Sequence, residues 1–158
     1  MAIRVVTIVA AAASMDPALR RRVMSSIPKQ DTRPELVLRR ALMARGIRGY
    51  RCHLRSLPGT PDIAFTRWRV AIFVDGVWWH GHPDHLPRGK RGPYWDQKIA
   101  KNIERDVRTN AMLAEFGWIV VRLWDLDIIR MPDDAVDRVA AALSRAGRQS
   151  LVERQPEL

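Results

Sequence analysis

Two carboxylates and a histidine lie close to the ends of two short apolar segments in the middle of the chain. Asp62 begins a segment that ends at Phe65, Asp75 follows the apolar run that begins at Val70, and His80 comes five residues later. Carboxylate oxygens are the ligands that hard cations such as Mg²⁺ prefer, and an imidazole can accept a proton from water. These three side chains, if they converge, would provide the chemistry of metal-assisted phosphodiester hydrolysis.

Two strands joined by a polar turn are predicted to carry these residues. β-Branched and aromatic side chains fill residues 62–65 and 70–74, and the turn between them reads Thr-Arg-Trp-Arg. The complete predicted order is a short helix over 16–22, a helix over 34–45, strands over 50–54, 62–65 and 70–74, a helix over 94–116, a strand over 118–124 and a helix over 132–146. This order predicts a single mixed α/β domain, with a central mixed sheet flanked by helices.

The charge of the chain favours a polyanionic partner. Its 158 residues carry a formal net charge of +10, a balance that points first to nucleic acid. The alternative is a ribosome-associated or merely basic protein. Cys52 is the only cysteine, which excludes an internal disulfide and a multi-cysteine zinc site and fits a reducing cytoplasm.

The N-terminal residues differ in composition from the rest of the chain. An apolar run over 5–13 superficially resembles a secretory signal, but it is shorter than the roughly 20 residues that a membrane-spanning helix needs. We expect residues 1–14 to be a disordered extension, 15–147 to form the domain and 148–158 to be a polar tail. No membrane association is expected, and we expect a cytoplasmic, nucleoid-associated protein.

Three motifs in register resemble the very short patch repair endonucleases, members of the restriction-endonuclease-like PD-(D/E)xK group. The motifs are PGTPD at 58–62, FVDGVWWHG at 73–81 and KIAKNIERD at 98–106. Segments 31–35 and 117–124 also match, so the similarity covers about residues 15–130. The resemblance implies a restriction-endonuclease-like fold and a Mg²⁺-dependent enzyme that nicks one strand of duplex DNA next to a T:G mismatch, the product of 5-methylcytosine deamination.

The resemblance also implies roles for the acidic residues and the histidine. Asp62 would bind the metal together with the backbone carbonyl of Val74. His80 would activate water, and Asp106 would orient the His80 ring. For Asp106 the alternative is an ion pair with a lysine on the same helix.

Two further acidic residues are candidates for the site. Asp75 is a candidate second acid, although Val77 stands where the wider group usually has a lysine. Glu35 matches a glutamate that is linked to the metal through water in the repair enzymes. The alternative for Glu35 is that it only stabilises the N-terminus of a helix that Asp31 or Thr32 caps.

Aromatic and basic residues are implied to contact DNA. Trp78 and Trp79 are adjacent, so they point to opposite sides of a strand and cannot easily enter one core. By resemblance they wedge between base pairs, with Trp95 as a further aromatic; core packing is the alternative. The other residues assigned to DNA are Arg20, Arg21, Arg22, Met24 and Lys29 in an N-terminal arm, and Lys98 and Asn102 on the long helix. A solvated, arginine-rich helix end is the alternative for the basic residues of the arm.

A structural zinc ion is not expected. The repair enzymes hold zinc with three cysteines and a histidine, whereas this chain has Val77, Asp84 and Leu126 at the cysteine positions and keeps only His82. The change leaves the base preference open. Alternatives are therefore a relative that serves restriction or phage defence without a mismatch requirement, and a catalytically silent DNA-binding module. We expect a monomer that acts on double-stranded DNA and is coupled to mismatch-repair proteins.

Overall fold

The computed structural model describes residues 16, 18, 22, 30–77, 80 and 93–152, with side chains of the last range described over 95–147. The chain divides into two compact units, Met1–Asp31 and Thr32–Leu158. In the first unit, Asp16 Oδ1 accepts a hydrogen bond from the Ala18 backbone N–H at 2.8 Å. This is the bond expected of the helix cap that the sequence predicts at Asp16. Among the described helices, none combines the length and the apolar character that crossing a bilayer requires.

The second unit contains a four-stranded sheet and four helices among its described residues. In chain order these are α1 (Arg33–Ala44), β1 (Arg51–Cys52), β2 (Ile63–Phe65), β3 (Val70–Asp75), α2 (Pro93–Glu115), β4 (Ile119–Trp124), α3 (Asp125–Arg130) and α4 (Pro132–Val152). The strand order is β1-β2-β3-β4, in which β3 and β4 are parallel and the other pairs are antiparallel. The prediction of a mixed α/β fold with a mixed central sheet between helices is confirmed.

Some elements differ from their predicted bounds. The strand predicted over 50–54 is limited to Arg51–Cys52, because β2 starts only after Pro61 and offers two partner residues, Ala64 and Ile63. Helix α3 was not predicted, since six residues are too few to show a helical period. Helix α4 continues six residues past the predicted end at 146, into the segment expected to be a polar tail.

The sheet buries both of its faces. Alternate residues of a strand point to opposite faces. One face packs with α1, α3 and α4 in a core that includes Leu38, Phe65, Ile72, Leu123, Ile128 and Val136. The other face carries Ala71 and Phe73, which pack with Leu113 of α2. Asp75 shares the alternation of Ala71 and Phe73, so it lies on the side of the sheet that α2 covers.

The turn that leads into β2 requires a glycine. Gly59 has φ +73°, and a Cβ at this position would lie 2.5 Å from Cγ2 of Thr109 and 3.2 Å from the Phe73 ring. The backbone of the turn therefore packs directly against α2 and β3. This close contact fixes the position from which Asp62 enters the sheet.

Candidate active site

Asp62 is held at the edge of the sheet by the backbone of β3. Its Oδ2 accepts a hydrogen bond from the Val74 N–H at 2.7 Å, and its side chain is 20% exposed. The N–H and C=O of one strand residue point to the same side of the strand. The Val74 carbonyl is therefore directed toward the same side as Asp62. These are the two oxygen groups that the resemblance assigns to the metal.

The surroundings of Asp62 disfavour an isolated negative charge. Burial raises the pKa of Asp62 to about 6, and the charges of Glu35 and Asp75 add to this increase, while the Val74 N–H and His53 oppose it. A carboxylate that is largely removed from water and close to other carboxylates is stabilised by a bound cation. The donor set therefore fits a hard divalent metal ion.

Glu35 stabilises the N-terminus of α1, and its carboxylate is also connected to Asp62 through His53. The residue is 3% exposed, and Oε1 accepts hydrogen bonds from the hydroxyl of Thr32 (2.7 Å) and from the Thr32 backbone N–H (3.4 Å), with Thr32 as the cap of α1. Its Oε2 lies 3.2 Å from Arg39 Nη2 and 3.4 Å from His53 Nε2. His53 Nδ1 in turn lies 3.9 Å from Asp62 Oδ1.

His53 is a residue of this site that the sequence analysis missed. It follows β1, where Cys52 pairs with Ile63, so the antiparallel register places it opposite Asp62. Its backbone N–H donates a hydrogen bond to the Asp62 carbonyl at 3.3 Å. If the pairing of β1 with β2 had been predicted, it would have placed His53 next to Asp62. The register of these two strands is therefore the signal that was missing.

His80 and Asp106, which are far apart in sequence, form the second part of the site. His80 Nδ1 lies 2.5 Å from Asp106 Oδ2 and 3.6 Å from Asp75 Oδ1. Burial works to raise the pKa of Asp106, but the hydrogen bond and charge of His80, followed by Arg122 and Arg105, bring this pKa below its usual value. With Asp106 ionised, the carboxylate is the acceptor and His80 Nδ1 is the donor, so in the neutral form of the ring the lone pair is on Nε2.

Arg122 on β4 is the second site residue that the sequence analysis missed. Its Nη1 lies 2.8 and 2.9 Å from the two carboxylate oxygens of Asp75, which is 5% exposed. The ligand atoms of Asp75, His80 and Asp106 all lie within 4.8 Å of one another, close enough to hold a metal ion. In this structure, however, the candidate second acid is ion-paired with an arginine.

Asp125 joins the segment before His80 to the start of α3. Its Oδ1 accepts hydrogen bonds from the Val77 N–H (3.1 Å) and from the Leu126 N–H (2.8 Å). Burial raises the pKa of Asp125 above its usual value, although both N–H groups act against the increase. These two N–H groups belong to Val77 and Leu126, two of the positions that the resemblance pairs with zinc-ligating cysteines.

The residues assigned to DNA are only partly covered by the structure. Trp95 is 4% exposed, and Lys98 Nζ lies 5.3 Å from the centroid of its ring, so this ring would have to leave its place to stack on bases. Asn102 is half-buried on α2, and Arg22 is exposed. Of the residues assigned to DNA, those outside the described part of the chain are Arg20, Arg21, Met24, Lys29, Trp78 and Trp79, and the zinc-ligand positions His82 and Asp84 also lie outside it.

The fold and the site together define the class of the protein. A mixed sheet between helices, with a desolvated carboxylate and a histidine–carboxylate pair at one edge, is typical of metal-dependent nucleases with a restriction-endonuclease-like fold. Comparisons with known proteins agree with this class and narrow it. The family model described as DNA mismatch endonuclease Vsr matches residues 12–86.

Three relatives extend the match over most of the chain. The type II nicking enzyme V.HpaIIP of Haemophilus parainfluenzae is 37% identical over 123 residues, which cover 75% of this chain and 86% of the relative. The type II nicking enzyme V.XorIIP of Xanthomonas oryzae is 41% identical over 117 residues, covering 72% and 85%. The DNA mismatch endonuclease Vsr of Escherichia coli is 38% identical over 112 residues, covering 70% and 71%. The chain therefore belongs to the Vsr family and is a DNA endonuclease, which confirms the predicted resemblance.

Proposed function

We propose that this chain is a Mg²⁺-dependent endonuclease that nicks one strand of duplex DNA at or next to a T:G mismatch. The observation that carries the proposal is the hydrogen bond between His80, which follows β3, and Asp106 of α2, together with the desolvated Asp62 just before β2. His80 can accept a proton from water, and the Asp62 carboxylate is stabilised by a cation. The names of the relatives support nicking, and that of the Escherichia coli protein supports mismatch recognition.

Each site residue has a chemical role in this proposal. Asp62 and the Val74 carbonyl would hold Mg²⁺, which when bound supplies positive charge to stabilise the scissile phosphate in the transition state. His80 donates Nδ1–H to Asp106, so its Nε2 is the atom that accepts a proton from the attacking water. The Asp106 carboxylate then stabilises the imidazolium that forms. Glu35, linked to Asp62 through His53, contributes negative charge that favours metal binding.

DNA contact is proposed for the aromatic and basic residues assigned from the sequence. The net charge of +10 supports a polyanionic substrate. Lys98 and Asn102 are on α2, the helix that also carries Asp106, and would contact the substrate close to the site of hydrolysis. Trp78 and Trp79 would stack on bases at the mismatch, together with Trp95, whose ring would first have to leave its buried position. We further propose that the enzyme acts as a monomer coupled to mismatch-repair proteins.

A nuclease of restriction or phage defence that does not require a mismatch is the second candidate. Several relatives are named type II nicking enzymes, and the positions that match the family's zinc-ligating cysteines are altered in this chain. A catalytically silent DNA-binding module fits less well, because binding alone would not need the combination of Asp62, His80 and Asp106.

A strand-nicking assay separates these candidates. Fluorescent duplexes that carry T:G, U:G, another mismatch or no mismatch are incubated with Mg²⁺ or with EDTA. The wild type is compared with Asp62→Ala and with Asp134→Asn, a control at an exposed aspartate on α4. Nicking of T:G duplexes alone, dependent on Mg²⁺ and lost only in Asp62→Ala, supports the proposal. Equal cutting of matched DNA favours the second candidate, and binding without cutting in any divalent metal refutes both.

A further inference from the structure

The guanidinium group of Arg122 contacts three polar residues, and two of them, Asp75 and Asp106, also contact His80. Nη1 binds both oxygens of Asp75, Nη2 lies 3.4 Å from Asp106 Oδ1, and Nε donates to Asn110 Oδ1 at 3.1 Å. The carbon at the centre of the group lies 4.7 Å from the centroid of the Phe73 ring. Three of the group's nitrogens and one of its faces are therefore used within the protein, which fixes its orientation.

The strand register explains why this arginine reaches the site. β4 runs parallel to β3, with Phe73 opposite Arg122 and Asp75 opposite Trp124. The alternation of β4 directs Val121 and Leu123 into the main core and Arg122 to the face that α2 covers. On α2, Asp106 and Asn110 are four residues apart and so lie on one side of the helix.

Two carboxylates lie close enough to His80 to accept its Nδ1–H, and Arg122 contacts them differently. Asp106 Oδ2 and Asp75 Oδ1 lie 2.5 and 3.6 Å from the same ring nitrogen of His80. The Nδ1–H of a neutral imidazole points toward one acceptor at a time. The pair of short contacts from Arg122 Nη1 engages both oxygens of Asp75, whereas the Nη2 contact with Asp106 is longer and involves Oδ1, the oxygen that His80 does not use.

We propose that Arg122 is a positioning residue for His80: by binding Asp75, it leaves Asp106 as the acceptor of the Nδ1–H and keeps Nε2 available for the attacking water. This inference rests on the proposed role of His80 as the base. It also assigns Asp75 to charge pairing with Arg122 and not to the metal. Removal of Arg122 would release Asp75 to compete for the Nδ1–H, so the ring would no longer be held in one orientation.

The test begins with a measurement that does not depend on activity. In metal-free, ¹⁵N-histidine-labelled protein, the His80 Nδ1–H gives a downfield proton resonance when it is held by Asp106. We expect this resonance in the wild type, its loss or broadening in Arg122→Met, and its return in the double variant Asp75→Asn with Arg122→Met. Arg45→Met, which removes an ion-paired arginine between α1 and α4, is the control and keeps the resonance.

Steady-state nicking kinetics provide the second measurement. We expect kcat of Arg122→Met to fall by about 10- to 100-fold, a part of what a general base contributes. KM for DNA should change by less than about twofold, because the guanidinium binds protein groups and not substrate. The kcat of Arg122→Lys, which keeps the charge but not the planar guanidinium group, should lie between those of the wild type and Arg122→Met. The double variant Asp75→Asn with Arg122→Met should recover most of the lost kcat.

The outcomes separate this inference from the proposed function. An unchanged Nδ1–H resonance in a folded Arg122→Met protein overturns the inference, and so does a rise in KM with kcat unchanged, which would make Arg122 a DNA contact. A double variant no better than Arg122→Met also overturns it. If the wild type nicks none of the duplexes, the proposed function fails, while the resonance measurements still decide whether Arg122 positions His80.

Discussion

Replacing Asp62 by asparagine should stabilise the metal-free protein at neutral pH. The amide oxygen of the introduced asparagine can still accept the hydrogen bond from the Val74 N–H, so the substitution removes the charge and keeps the contact. The pKa of Asp62 is raised from 3.8 to about 6. Because each tenfold change in proton affinity corresponds to 1.36 kcal/mol, ionised Asp62 costs about 3 kcal/mol of folding free energy at pH 7.5. We expect the free energy of unfolding of Asp62→Asn to be higher by about 1–3 kcal/mol, because rearrangement around the ionised carboxylate already reduces part of this cost in the wild type.

The pH dependence of the gain follows from the direction of the shift. A raised pKa means that the folded protein binds this proton more tightly than the unfolded chain does, so its contribution to stability is complete below about pH 4 and is lost as the pH rises through about 6. The difference between Asp62→Asn and the wild type should therefore grow between these values and be constant above about pH 7. Urea unfolding in EDTA at pH 4, 5, 6, 7 and 8 measures this difference.

Mg²⁺ should reverse the order of stability. At a Mg²⁺ concentration 1,000 times its dissociation constant, the wild type should gain about 4.1 kcal/mol, more than the substitution provides, and Asp62→Asn should gain little. Asp134→Asn is the control, because it removes an exposed carboxylate from the first turn of α4 and should lose a little stability at every neutral pH. Parallel pH profiles for wild type and Asp62→Asn, or equal stabilisation of both by Mg²⁺, would refute the reasoning.

Three other substitutions test how the site is held together. Asp106→Asn should lower the single-turnover nicking rate by about 10²- to 10⁴-fold without unfolding the protein, because His80 loses the carboxylate that orients it; an unchanged rate would remove Asp106 from the mechanism. Gly59→Ala should lower the free energy of unfolding in urea by roughly 2–4 kcal/mol, because φ is positive and the new Cβ would overlap with a threonine side chain. Gly46 also has positive φ but has open space around it, so Gly46→Ala should cost about 1 kcal/mol. Equal costs of the two substitutions would contradict the packing argument. Asp125→Ala should lose about 1–3 kcal/mol and slow nicking, because two partly buried N–H groups lose their acceptor; Asp125→Asn should retain most of the stability and of the rate, and a normal rate in Asp125→Ala would show that this link does not support His80.

The sequence predicts the parts of the site that are local. The Pro-Gly-Thr-Pro segment and the apolar run after it predict a strand that begins next to Asp62, and the structure has β2 there. The contact between His80 and Asp106 spans 26 residues and was expected only from the resemblance, because no local pattern joins a residue after a strand to the middle of a helix. The structure places the two side chains in hydrogen-bond contact.

The residues that the sequence analysis missed depend on how distant strands pair. Arg122 is the one charged residue in the predicted strand over 118–124, and alternation alone does not say which face holds it. Its position beside Asp75 depends on the parallel register of β3 and β4, which are joined through α2. His53 likewise depends on the pairing of β1 with β2, a contact of only two residues on each strand. The contacts of Arg122 and His53 are therefore determined by how the strands pair in the folded sheet, and not by the sequence of either strand alone.

The three aspartates on this side of the molecule have different electrostatic surroundings, and the difference supports a division of roles. Burial raises the pKa of Asp62, the charges of Glu35 and Asp75 add to the increase, and the Val74 N–H and His53 only partly offset it. Asp106 has a lowered pKa and a histidine as partner, which suits a carboxylate that stabilises an imidazolium. Asp75 is compensated by an arginine. When environments separate similar groups in this way, the uncompensated one is the natural site for a cation. A divalent metal ion should therefore select Asp62, because at Asp75 it would first have to displace Arg122.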